Sequence, residues 1–190
     1  MRVFRRIVWT LAAMLVLTAT SHAADTYTLD PSHAGMSFMV SHLGLSYCHG
    51  RFNELAGEVE WDEADPSKSK FTLTAKTESV DTGNQKRDDH LRSPDFFNAK
   101  QFPTIEYRST SVKAVDGGFE VAGNLTMHGV TKPVTFTVKG GKKAEFPAGT
   151  QRIGFSTRLT LKRSEFDITG FQEAIGDDVF VAVSFEAIKK

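Results

Sequence analysis

The sequence predicts an all-β protein, an antiparallel barrel of about eight strands with one short helical segment. Apolar residues recur with a period of two in segment after segment, and turn signals separate those segments at strand-length spacing. No long helical pattern lies between the strands, as a parallel sheet with crossover helices would need, so the pairing should be antiparallel. Sequential antiparallel strands in this number close into an up-and-down barrel, which removes exposed edges. A two-sheet sandwich has the same periodicity and stays open at this point.

The strands follow in order. Segment 34–43 places Met36, Phe38 and Val40 on one face, and 49–62 follows after the turn at Gly44. Segment 70–80 alternates Phe71, Leu73 and Ala75 with Thr72, Thr74 and Lys76, after the turn "DEADPSKS". Segments 104–114 and 118–127 flank "VDGG", and 132–142 alternates Val134, Phe136 and Val138 with threonines and Lys139. The last two, 152–163 and 178–188, carry Phe155, Leu159 and Leu161, then Val179, Val181, Val183 and Phe185. Eight strands leave an interior just wide enough for packed side chains or one small ligand, and periodicity does not choose between them.

One stretch breaks the alternation: "RDDHLRSPDFF", residues 87–97. On a helix Asp88 and Arg92 lie four apart and would pair. Ser93, Pro94 and Asp95 then read as an N-cap, a first helical position and a carboxylate at the positive end of the dipole. The segment 83–102 is therefore expected as two short helical turns that lay Leu91, Phe96, Phe97 and Phe102 on the barrel before Pro103.

The N-terminus reads as a signal peptide over 1–23. Arg2, Arg5 and Arg6 precede an apolar run, and Ser21 and Ala23 offer the small residues of a cleavage site after Ala23. The run is shorter than the ~20 residues of a membrane span, so no stable membrane insertion is expected. One domain, 24–190, remains. The segment removed holds three of the 23 Lys and Arg and no acid, leaving 20 against 23, or near −3. Without a basic excess, the charge argues against nucleic acid and against an anionic membrane surface as the main partner.

The chain carries little catalytic vocabulary. Histidines 33, 42, 49, 90 and 128 form no close metal-ligand motif, and Cys48 has no second cysteine. No Gly-rich phosphate loop or nucleophile elbow occurs. No catalytic residue, metal or cofactor is therefore assigned. Cys48 and His49 are adjacent on a strand, which points them to opposite faces and places them badly for proton transfer. His42 shares parity with Phe38 and Val40 and should face inward at a strand end. His128, in a hairpin turn, should face solvent.

The blocks "HLGLSYCHGRF", "SVDTGNQKRDDHLRSPDFFNAKQFPTIEY", "GNLTMHGVTKPVTF" and "GFSTRLTLKRSEFDI" resemble, in order and spacing, the signature blocks of the YceI-like family. The resemblance implies an extended, lipocalin-like eight-stranded barrel with an elongated apolar cavity for long-chain amphiphiles, notably polyisoprenoid or quinone-like lipids. It further implies a periplasmic binding protein rather than an enzyme, acting in lipid transport, storage or stress response, with dimers in some members. "SYCHG", with Cys48 and His49, departs from the more apolar or aromatic filler expected there. By strand parity the interior candidates are Phe38, Val40, Phe52, Leu73, Ile105 and Phe136, with Phe155, Leu159, Val181 and Val183 from the last strands. Phe96 and Phe97 would cover one mouth, and His42, Arg87 and His90 are the candidate head-group contacts. Two other readings are an enzyme acting on such lipids through His42, Asp88 or His90, and a stress-response protein working through protein contacts.

Overall fold

A computed structural model describes residues 24–190. The expected signal peptide lies outside the described residues. Ten β segments and one helix follow in order: β1 Asp25–His42, β2 Ser46–Phe52, β3 Leu55–Trp61, β4 Lys70–Lys76, β5 Val80–Asp81, α1 Gln85–Arg92, β6 Thr104–Val115, β7 Gly118–Met127, β8 Val130–Glu145, β9 Gln151–Lys162 and β10 Ile175–Lys189.

These segments make a closed eight-stranded antiparallel barrel. β1 pairs along its first part with β3 and along its second with β2, so β2 and β3 share one position in the ring. β5 extends that second half by pairing with β2. β4 lies between β3 and β6, and from β6 onward neighbours in sequence are neighbours in the sheet. β10 returns to β1 in a register from Tyr27↔Lys189 to His42↔Ile175. That last pairing decides between barrel and sandwich, because it leaves the main sheet no free edge.

Two strand breaks depart from the periodicity. The segment expected as one strand over 49–62 splits at Asn53 and Glu54. Asn53 N–H donates to the Ser79 carbonyl (3.1 Å) and Glu54 N–H to Ser79 Oγ (3.1 Å), which draws the chain out of the ladder. β1 starts at Asp25 rather than 34, with a register slip between Leu29 and Ala34. Pro31 brings no N–H to that stretch, and Asp30 gathers the donors around it. Asp30 accepts from the Ser32 hydroxyl (2.5 Å) and from Arg152 Nη1 (2.7 Å), and lies 2.8 Å from His33 Nδ1. These bonds, Ser32 first, hold its pKa far below the ordinary carboxylate value.

One end of the barrel is plugged. The Trp61 ring meets Phe119 at 4.8 Å and Phe155 at 5.2 Å, both edge-on. Tyr27, Ile153 and Ala187 around them are almost wholly buried. The ion pairs on this rim, such as Lys189–Asp25 (2.8 Å) and Lys143–Glu63 (3.0 Å), are partly exposed and worth ~0–1 kcal/mol each. Burying a large apolar side chain is worth ~1.5–3 kcal/mol, so the aromatic plug carries this end.

The other end carries the loops at 43–45, 82–103, 128–129 and 163–174. Here the helical segment is shorter than expected. α1 is capped by Asn84, whose side chain accepts from Arg87 N–H at 3.1 Å. Ser93 closes α1 instead of opening a second helix: its N–H donates to the His90 carbonyl and its backbone is extended, as Pro94 next to it requires. Residues 94–102 continue as turns, although Ser93 Oγ still accepts from Asp95 N–H at 3.3 Å. Asp88 does not pair with Arg92. Arg92 reaches Asp89 (3.1 Å) and the carbonyls of Glu78 and Val80 (2.8 Å each), while buried Asp88 turns to Thr82. The segment ends where Thr77 donates its hydroxyl to the Phe102 carbonyl (2.5 Å) and its N–H to that of Pro103 (3.0 Å).

Candidate functional site: an apolar cavity with a cationic mouth

A cavity of about 740 Å³ runs from the looped end down to Phe71, Val138 and Phe155 above the plug. The size suits a small-molecule or lipid-tail site, which typically spans ~300–1,000 Å³. Strand alternation builds it: each strand turns its apolar parity inward, and eight such faces enclose the space. Phe38, Val40, Phe52, Leu73, Ile105, Phe136, Phe155, Leu159, Val181 and Val183 all line this one cavity, and so do Phe96 and Phe97.

Aromatic contacts shape the wall. Phe52 touches Phe38 (5.7 Å between ring centres) and Phe97 (5.4 Å), joining the helical segment to the barrel. Phe96 is buried and stacks on Phe171 at 6.0 Å, so the two phenylalanines form wall rather than a loose cover. Gly50 explains part of "SYCHG". A Cβ at Gly50 would collide with the Phe38 ring, so the glycine lets that ring lie across β2. Cys48, opposite Val40, faces the cavity as a small residue where a more apolar or aromatic filler was expected. Deeper in, Tyr107 packs on Phe136 at 4.9 Å and donates its hydroxyl to the Val121 carbonyl at 3.3 Å. Burial pushes its phenol up to about 12, so it stays neutral at any physiological pH.

Thr72, Tyr107, Ser156 and Thr157 also line the wall, but the histidines of the lining gather at the mouth with Lys86 and Arg87. His42, Arg87 and His90 all line it, joined by His49, Lys86 and Asn84. Arg87 donates from Nε to Thr82 Oγ1 (2.8 Å) and from Nη2 to the Thr82 carbonyl (2.9 Å). His90 Nε2 lies 2.9 Å from Asp95 Oδ2, and its ring meets Phe96 and Phe171 edge-on. The lining includes Lys86, Arg87, Arg163 and three histidines, and no carboxylate. Asp88 is not part of it, so His42, Asp88 and His90 do not converge. Among the described residues, no three His, Cys, Asp or Glu side chains cluster as metal ligands would.

The sequence missed the 163–176 loop as a wall. Arg163 is 5 % exposed and donates to four carbonyls: Gly176 from Nε, Ile168 and Gly170 from Nη1, and Ile175 from Nη2. Burial lowers its pKa. This guanidinium orders the loop that brings Ile168, Phe171 and Ala174 to the cavity. Gly170 lies against the Asp95 carbonyl so closely that a Cβ would clash, locking the two mouth loops together. Nothing in "LKRSEF" distinguishes Arg163 from its neighbours. His128 also departs from expectation: it is half-buried, with Nδ1 3.2 Å from the Phe166 carbonyl and its ring 4.8 Å from Phe102.

Comparison with known proteins agrees with this architecture. The chain is 38% identical over 184 residues to Protein YceI of Salmonella arizonae, covering 96% of each chain. Burkholderia cenocepacia BcnA superposes with a TM-score of 0.76 at 23% identity, covering 84% of this chain and 99% of its own. A polyisoprenoid-binding domain from Saccharophagus degradans, implicated in plant cell wall breakdown, superposes at 0.66 with 16% identity, covering 88% and 99%. The YceI-like domain model matches residues 27–187, and the chain belongs to that family.

Proposed function

We propose that this protein binds a long-chain amphiphile of the polyisoprenoid or quinone-like class and carries or stores it after export to the periplasm. The observation that carries the reading is the deep cavity, its wall mostly apolar with a few threonine, serine and tyrosine side chains, and its lysine and histidines gathered with Arg87 at the mouth. An isoprenoid tail entering it leaves water at ~25 cal/mol per Å² of apolar surface, and no backbone polar group of the barrel loses its partner. The head group stays at the mouth, where His42, Arg87 and His90 offer hydrogen bonds and positive charge. A Saccharophagus domain of the same fold is described as polyisoprenoid-binding, which supports the ligand class. The signal-like residues 1–23 support export.

An enzymatic role finds less support. Asp88 Oδ1 is occupied by Thr82, and Tyr107 donates to a carbonyl and is neutral. The carrier reading is tested by purifying the protein from the periplasm without detergent and recording native mass spectra. It expects a bound hydrophobic molecule that solvent extraction identifies as a prenyl lipid. Empty spectra, with no uptake of added prenyl lipid, overturn it.

A further inference from the structure

Six large apolar side chains stand exposed among the described residues, and five of them gather at the open end of the cavity. Leu43 (57 % exposed) and Leu45 (83 %) form the tip of the β1–β2 hairpin, with Tyr47 just behind. Phe180 on β10 meets the Tyr47 ring edge-on at 6.0 Å, and Phe171 stands in the loop before β10. Only Phe146 lies at the plugged end. Exposed apolar residues scattered singly need no explanation, but a gathering at one mouth does.

The backbone holds this edge together. Leu43 and Phe171 adopt left-handed conformations, φ 53° and 54°, which bulky residues rarely take. Leu43 N–H donates to the Ala174 carbonyl at 2.7 Å, and the Ala174 and Ile175 amides donate to the Phe171 carbonyl at 3.0 and 2.8 Å. The hairpin tip and the Phe171 loop are thus fastened as one unit. Phe171 also belongs to the cavity wall, so this ring joins the exposed edge to the interior.

We propose that this edge docks on a lipid bilayer surface, with Leu43, Leu45 and Phe171 entering the interface so that the cavity opens directly onto lipid. The net charge near −3 gives no overall attraction to an anionic surface, so the apolar side chains carry the docking. Lys86 and Arg87, exposed at the same mouth, add only a local contact to lipid phosphates, and the cavity lining around them holds no carboxylate. A second copy of the chain fits less well. Five partly exposed side chains offer roughly a few hundred Å², short of the ~800 Å² per partner of a standard interface. The proposal extends the lipid-binding reading and rests on it for the cargo, though not for the docking itself.

The test sediments the purified protein with vesicles of equal parts phosphatidylcholine and phosphatidylglycerol. The protein should pellet with the vesicles, and the double variant Leu43→Asn, Leu45→Ser should bind roughly tenfold more weakly. Asn tolerates the left-handed backbone, and neither leucine lines the cavity, so uptake of added prenyl lipid from detergent micelles should be unchanged. A second variant, Leu45→Trp, should be quenched by brominated-acyl phosphatidylcholine. The docking proposal is overturned if the protein stays in the supernatant, if the double variant pellets equally, or if the new tryptophan is unquenched. A wild-type dimer that the double variant converts to monomer also overturns it and assigns the edge to a second copy. Vesicle binding without uptake from micelles contradicts the carrier reading alone.

Discussion

Asp88 accepts two hydrogen bonds from Thr82, from its amide at 2.8 Å and from its hydroxyl at 2.5 Å. Thr82 in turn receives Arg87, which places that guanidinium at the cavity mouth. Asp88 is 6 % exposed, so Asp88→Ala strands the Thr82 amide in a site water reaches poorly. The expected loss is ~1–3 kcal/mol, read as a lower urea midpoint with unchanged slope. Arg92→Ala should leave the Asp88–Thr82 bonds in place, and a double-mutant cycle should show little coupling between Asp88 and Arg92.

An open cavity and a filled core answer differently to added volume. Leu159 points into the cavity and is only half-buried. Leu159→Trp should cost less than the ~1–3 kcal/mol of overpacking a filled core, while occluding the site. Thermal melts and prenyl-lipid titrations check both parts; strong destabilisation would mean that the space is not there.

Arg163 holds its loop by charge-assisted bonds to four carbonyls. Arg163→Met removes all four donors at once and should destabilise by at least ~3 kcal/mol, given ~1.5–3 kcal/mol for a hydrogen bond to a charged group. Arg163→Lys should recover only part of this, since an ammonium cannot span the same fork. Limited proteolysis should show new cleavage between 164 and 174 in both variants.

Acid should weaken the protein through Asp81. The Gly83 amide, then Asn53 and Arg51, hold its pKa down to about 2 from an ordinary 3.8. The folded state therefore binds this proton less readily than the unfolded chain. Its contribution is complete above pH 3.8 and disappears as pH falls through about 2. Tm measured against pH should fall less steeply across that window for Asp81→Asn than for the wild type; parallel curves would contradict the assignment.

Much of this was legible in the sequence, for a physical reason. A half-buried strand writes its two faces alternately, so Phe38 and Val40, or Val181 and Val183, announce the interior before any fold is known. The breaks at Asn53 and Asp30 were not legible, because each depends on a partner from elsewhere in the chain, Ser79 for one and Arg152 for the other. Asp88 misled for the same reason: helical spacing offered Arg92, but Thr82 brought an amide and a hydroxyl together. Loops such as 163–176 carry no period, so the wall contributed by Phe171 was invisible until Arg163 was seen to gather its carbonyls.

The central claim is that a lipid tail lies inside the barrel, and photolabelling reads this directly. A prenyl lipid with a diazirine in its tail would be taken up, irradiated, and its attachment sites mapped by peptide mass spectrometry. The account predicts labels at inward positions on several strands, Leu73, Phe136 and Leu159 among them, lost when excess unlabelled prenyl lipid is present. Labels confined to the outer surface, or unaffected by that competitor, would contradict it.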